Sequence, residues 1–166
     1  MRRITAFDLA ARYVGTRELP GGLDNPHILA WLMDAGVADP RQAGLLYHDE
    51  VPWCGAFVAH PVRLAGLELP KIPARARSWL TVGEPIAIER AEAAWDVVVL
   101  QRGDGAQPGP DVLAAPGHVG FFFDLETSRG LVHLLGGNQG GDQVSIAGFP
   151  VHRVLGVQRL FSEVEL

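Results

Sequence analysis

The chain has little of what most cysteine- or metal-based scaffolds rely on: one cysteine, two methionines and two tyrosines in 166 residues. A single cysteine cannot close an internal disulfide, so no cross-link constrains the compartment. No apolar run approaches the about 20 residues of a membrane-spanning helix. No block of lysines or arginines is present, and the net charge is -5, so nothing matches a phosphate backbone and nucleic acid is not an expected partner. The opening "MRRITAFDLAARYVG" is broken by Asp8 and Arg12 and does not form a signal-peptide core. No compact spacing of metal ligands is found, and no cofactor is expected. A zinc set of His118, Asp124 and His133 fails on facing, and the adjacent Asp49 and Glu50 lack a calcium-loop signature.

What is present is apolar residue content, 48% of the chain, in a length suited to one domain with a real core. Phe7, Ala10, Tyr13 and Val14 recur at helical spacing. "LDNPHILAWLMDAG" supplies an N-cap at Asp24 or Asn25, Pro26 in the first turn and Gly36 as terminator. A helix is predicted from Trp53 to Ala65, closed by Gly66, with Pro61 bending or shortening it, and a short one over 74–83. Beyond that the period changes. "WDVVVLQR", "HVGFFFD", "GLVHLLGG", "DQVSIAGF" and "VLGVQRLF" read as strands separated by Gly, Pro and Asp clusters. Helices first and a mostly antiparallel sheet second predict an α+β domain spanning 1–166, in which the Gly- and Pro-rich stretch 103–117 is an internal loop.

The chemistry centres on "DEVPWCGAFV", which holds Cys54 at the predicted helix start. A thiol attacks as thiolate, and the amides and dipole of a helix N-terminus, with a nearby imidazole, would lower its pKa. From the cysteine alone, nucleophile and packed core residue both stand open. Of six histidines, strand geometry favours His118. If "HVGFFFD" and "GLVHLLGG" form a hairpin with "LETSR" as its loop, His118 lies opposite Gly136, and Asn138 is a same-face diagonal neighbour at roughly 7–8 Å. His133 then lies opposite Phe121, on the other face. His48, in the loop entering the helix, is the competing base, whereas His27, His60 and His152 read as surface or helix-end residues.

"DEVPWCGAFVAHPVRLAGL", "ARSWLTVG", "APGHVGFFFD" and "LLGGNQGGDQVSIAGFP", in this order, resemble the CHAP/NlpC-type superfamily of papain-like cysteine peptidases and amidases. Within it they look like compact phage-associated peptidoglycan hydrolases, and the likeness covers residues 5 to about 160. The resemblance implies a papain-like fold with Cys54 as a reactive, partly exposed nucleophile, His118 as base and Asn138 as the residue orienting it. Tyr47, Trp53 and Gln139 are assigned to substrate binding, and Trp79 to the core. Family members often carry a glutamate two positions before the asparagine; here that position is Gly136. The implied activity is cleavage of an amide of the peptidoglycan stem peptide, by an enzyme made in the cytoplasm and acting at the cell wall or periplasm after release or delivery. A delivery machine or an immunity protein is the partner class such a role brings. The alternatives are a silent papain-like module that binds wall fragments or a protein, and a cysteine hydrolase of the same fold acting on another amide or ester.

Overall fold

A computed structural model of the protein describes residues 4–21, 24–37 and 52–160. Helices α1 (Ala6–Ala11), α2 (Pro26–Asp34) and α3 (Cys54–Leu64) precede six strands, β1 (Glu84–Ile86), β2 (Asp96–Gln101), β3 (Gly117–Glu126), β4 (Leu131–Gln139), β5 (Gln143–Pro150) and β6 (Val154–Arg159). The strands form one sheet in the order β1-β6-β2-β3-β4-β5, with every pairing antiparallel. The predicted order of helices before sheet therefore holds, and the fold is α+β. The short helix expected over 74–83 is a 3-10 turn at Ala76–Thr81, and β1, unannounced by its short Glu-Pro-Ile sequence, pairs with β6 at the sheet edge.

Local chemistry accounts for the helix ends. Thr5 caps α1 by accepting the Asp8 N–H while Asp8 accepts back from Thr5, a reciprocal capping box. Asn25, rather than Asp24, caps α2 by accepting the His27 N–H, and Pro26 occupies the first position, where its missing donor costs nothing. Pro61 does not shorten α3: the helix continues to Leu64 and stops before Gly66, whose φ of 73° suits glycine.

β2 carries an unbroken "DVVVL" run because both of its faces are covered, Val97 and Val99 by one apolar cluster and Val98 and Leu100 by another, so alternation is not required. The main core lies where the helices meet the sheet. There Trp31, Trp53, Phe57 and Trp79 pack on Val97, Val99, Val119, Phe121 and Leu135. A second cluster on the other face gathers Val98, Leu100, Phe122, Val132, Leu134 and Val157. Ile86 of β1 and Phe149 of β5 pack against this same cluster, which therefore runs across the full width of the sheet.

Two polar ties fix the layers. Asp96, 1% exposed, receives both Arg159 Nε and Nη2, at 2.9 and 2.8 Å, across the β2–β6 register, and also accepts the Glu92 N–H. The bidentate geometry raises the Arg159 pKa, and the pair joins the strand to the segment that precedes it. Between the helices, His60 of α3 lies 3.0 Å from an Asp34 carboxylate oxygen of α2 and 3.0 Å from the Tyr13 hydroxyl. His60 is thus an inter-helix tie rather than a surface residue. Among the described residues no helix is long and apolar enough to cross a membrane.

Candidate active site

Cys54 is the first residue of α3 and Trp53 its N-cap, which makes no side-chain capping bond. The first-turn amides therefore lack intrahelical acceptors and are available to the cysteine. The backbone N–H groups of Gly55 and of Val119 on β3 favour the anionic form of the sulfur. Gly55 is required by packing: a Cβ there would lie 2.6 Å from the carbonyl oxygens of both Pro73 and Ala74. The helix start is thus pressed against the chain that leads into the 3-10 turn.

His118, in β3, lies close enough to Cys54 that each shifts the ionisation of the other. Its Nε2 meets Gln139 Oε1 at 2.8 Å. The orientation of the Gln139 amide is decided by its other end, whose Nε2 donates to the carbonyls of Ser145, at 2.7 Å, and Leu134, at 3.3 Å. Only Oε1 is left to face the imidazole, so His118 Nε2 carries a proton and Nδ1 is the nitrogen that remains for the thiol. Gln139 is 4% exposed, and all of its polar atoms are engaged in positioning the ring.

This corrects two expectations. The side chain that bonds His118 is that of Gln139, assigned above to substrate binding, and not that of Asn138, the expected orienting residue. The β3–β4 register pairs Phe121 with Leu135 and Asp124 with His133, displaced from the predicted pairing, and shifts at a bulge between Phe122 and Asp124. A second bulge, in β4 between Gly136 and Gln139, adds a residue to that strand. Asn138 sits in it with φ 57°, a left-handed conformation that asparagine tolerates, and strand alternation resumes with Gln139 beside His118. Asn138 instead lines the cleft. His133 alternates with Val132 and Leu134, on the strand face opposite theirs, and bonds Glu126 at 2.9 Å. His133 pairs with Asp124, three residues from the predicted Phe121, but the bulge adds one residue to β3, so the face is preserved and His133 lies away from His118 as predicted.

Trp53 is also corrected. It is 1% exposed and packs in the main core beside Trp31, with its indole N–H donated to Glu18 Oε1 at 2.6 Å. Trp79 is fully buried, as expected. Tyr47, His48, Asp49 and Glu50 lie outside the described residues. A Cβ at Gly136 would lie 2.5 Å from Gln139 Oε1, so a longer side chain there requires Gln139 to move from His118.

The electrostatics shift both groups in the direction of an ion pair. Burial pushes the Cys54 thiol pKa up, but the hydrogen bond and charge of His118, with the Val119 and Gly55 amides, more than offset it and leave the pKa lowered. Burial likewise disfavours the His118 cation, yet bonding to Cys54 and Gln139 leaves its pKa raised. The two shifts describe one coupled pair moving toward thiolate and imidazolium.

Cys54 itself is 2% exposed, less than the partly exposed thiol expected. Two recesses open on it. One, of about 410 Å³, is walled by Ile72, Ala74, Ala76 and Ala114–Gly117; the other, of about 230 Å³, contains His118, Asn138, Gln139 and Phe149. They meet at Pro52, Cys54, Arg102 and Gly117, so the sulfur lies at the junction of an apolar and a polar half-cleft. The wall of the apolar half is anchored by Arg77, a residue without a sequence signal. Its buried guanidinium donates Nε to Pro116 O at 2.9 Å and Nη1 to Pro108 O and Gly109 O at 2.8 and 2.7 Å. Those carbonyls belong to the 103–117 loop. Among the described residues no group of three or more His, Cys, Asp or Glu side chains could hold a metal.

Compared with protein-family models, with curated proteins and with solved structures, the chain matches none.

Proposed function

We propose that the protein is a papain-like cysteine hydrolase that cuts an amide bond of the peptidoglycan stem peptide, with Cys54 as nucleophile, His118 as acid and base and Gln139 as the positioning residue. The observation that carries this reading is the chain of contacts from the α3 N-terminus through Cys54 and His118 to Gln139, placed at the junction of two half-clefts. A buried cysteine with only a packing role needs no imidazole in a fixed tautomer beside it. The ordered motifs that resemble the CHAP/NlpC superfamily supply the substrate class.

The chemistry follows from the geometry. The Cys54 thiolate attacks the amide carbonyl, forming a C–S bond and pushing the carbonyl electrons onto oxygen, where the Cys54 backbone N–H is one available donor. His118, protonated at both nitrogens, delivers its Nδ1 proton to the departing amine as the C–N bond breaks. The thioester remains on Cys54. Water then attacks it, His118 Nδ1 takes the water proton, and the C–S bond breaks to release the acid and regenerate the pair. Throughout, Gln139 Oε1 accepts from His118 Nε2, holding the ring plane and stabilising the cation.

Digestion of purified peptidoglycan, with the new ends assigned by mass, tests the proposal. New N-terminal L-alanine identifies an amidase, and a new amine on the diamino acid an endopeptidase. Unchanged wall fragments after prolonged incubation with folded protein would overturn it.

A further inference from the structure

Among the described residues, the charged side chains that line the cleft around Cys54 are all arginines, against the charge of the chain as a whole. The described residues that line its two halves include Arg75, Arg102 and Arg153 and no aspartate or glutamate, although the net charge of the chain is -5. Among the described residues none of the three arginines is ion-paired, whereas Arg63, Arg129 and Arg159 are paired with carboxylates.

Arg153 is held in place rather than merely near. Its Nε and Nη2 donate to the Gln101 carbonyl at 3.3 and 3.1 Å, and its guanidinium carbon lies 5.4 Å from the centre of the Phe149 ring. Phe149 in turn packs on the His118 ring with centroids 5.2 Å apart. Arg102, exposed and following the last residue of β2, is shared by both recesses. A fixed cation beside an imidazole that must itself become cationic opposes the ion pair, and Arg153 does act against the His118 charge. That opposition is relieved when an anion occupies the space between them. The planar guanidinium fork suits a carboxylate in particular.

We propose that Arg153 and Arg102 form a carboxylate-recognising subsite beside Cys54, so that this cleft selects peptide-like amides bearing a free carboxylate next to the bond that is cut. The proposal rests on the hydrolase reading and names its substrate class. Arg153 provides the oriented contact, and Arg102, at the junction, attracts the same group from the outer side.

The test compares alkylation of Cys54 by iodoacetate, which carries a carboxylate, with alkylation by neutral iodoacetamide. Both form an S–C bond and release iodide, and their rate ratio cancels the intrinsic reactivity of the thiolate. The wild-type ratio should exceed that of free cysteine by about tenfold at low salt and fall as salt is raised. Arg153→Gln and Arg102→Gln should each lower it, the double variant should lose most of the excess, and Arg153→Lys should retain part of it. A wild-type ratio equal to that of free cysteine, or an excess unchanged in the double variant, overturns the subsite while leaving the nucleophile intact. A Cys54 slower than free cysteine toward both reagents overturns the hydrolase reading, and the subsite falls with it.

Discussion

Gln139 receives the Nε2 proton of His118 at 2.8 Å, and its own amide is locked by the Ser145 and Leu134 carbonyls. The ring is therefore held by a side chain that cannot turn away without losing two further bonds. Gln139→Ala should lower the hydrolytic rate by about tenfold to a thousandfold, because the orienting group and part of the cation stabilisation are lost. The alkaline limb of the rate profile should also move to lower pH, a shift that a merely structural role would not produce. Asn138→Ala should cost less than about tenfold, as it removes only a cleft wall, and His133→Ala should leave the rate nearly unchanged. Steady-state rates on peptidoglycan across pH, with folding checked by circular dichroism, distinguish the three.

The Asp96–Arg159 pair should dominate the stability of the β2–β6 junction. Asp96→Ala leaves a guanidinium without its bidentate acceptor and the Glu92 N–H without a partner. The expected loss is about 3 kcal/mol, since one half of a largely buried pair is removed. Urea unfolding of the variant, with an unchanged slope and a lower midpoint, measures it.

Arg77 should act on the groove wall without touching the sulfur. Arg77→Lys keeps the charge but lacks the planar fork that reaches Pro116, Pro108 and Gly109 together. Hydrogen exchange within 103–116 should accelerate while β2 and β3 stay protected. Equal protection of the loop in the variant would show that it stands without the clamp.

The parts of the fold legible in the sequence were those governed by local chemistry. Pro26 and Gly36 bound α2, Gly66 closes α3, and the valine- and phenylalanine-rich runs became strands. The placement of Cys54 at a helix start and of His118 on a strand was also legible, because both follow from local pattern. The neighbour of His118 was not. A bulge shifts which residue faces it, and neither the one after Phe122 nor the one that holds Asn138 has a marker in the sequence stronger than the glycines around the second. Trp53 misled for a related reason: an aromatic next to a nucleophile looks the same whether it lines a groove or fills a core, and only packing against Trp31 decides. Arg77 was invisible because its partners are backbone carbonyls of a loop distant in sequence.

The ionisation of Cys54 is the most direct measure of whether it is a nucleophile poised by His118. The chain has one cysteine, so thiolate ultraviolet absorbance, taken as wild type minus Cys54→Ala, belongs to this residue alone. Wild type should titrate with a midpoint below that of free cysteine, since the His118 bond and the Val119 and Gly55 amides outweigh burial. In His118→Ala the midpoint should rise above that of wild type, because burial then loses its main opponent. A wild-type midpoint at or above that of free cysteine, unchanged by His118→Ala, would contradict the account and return Cys54 to the hydrophobic core.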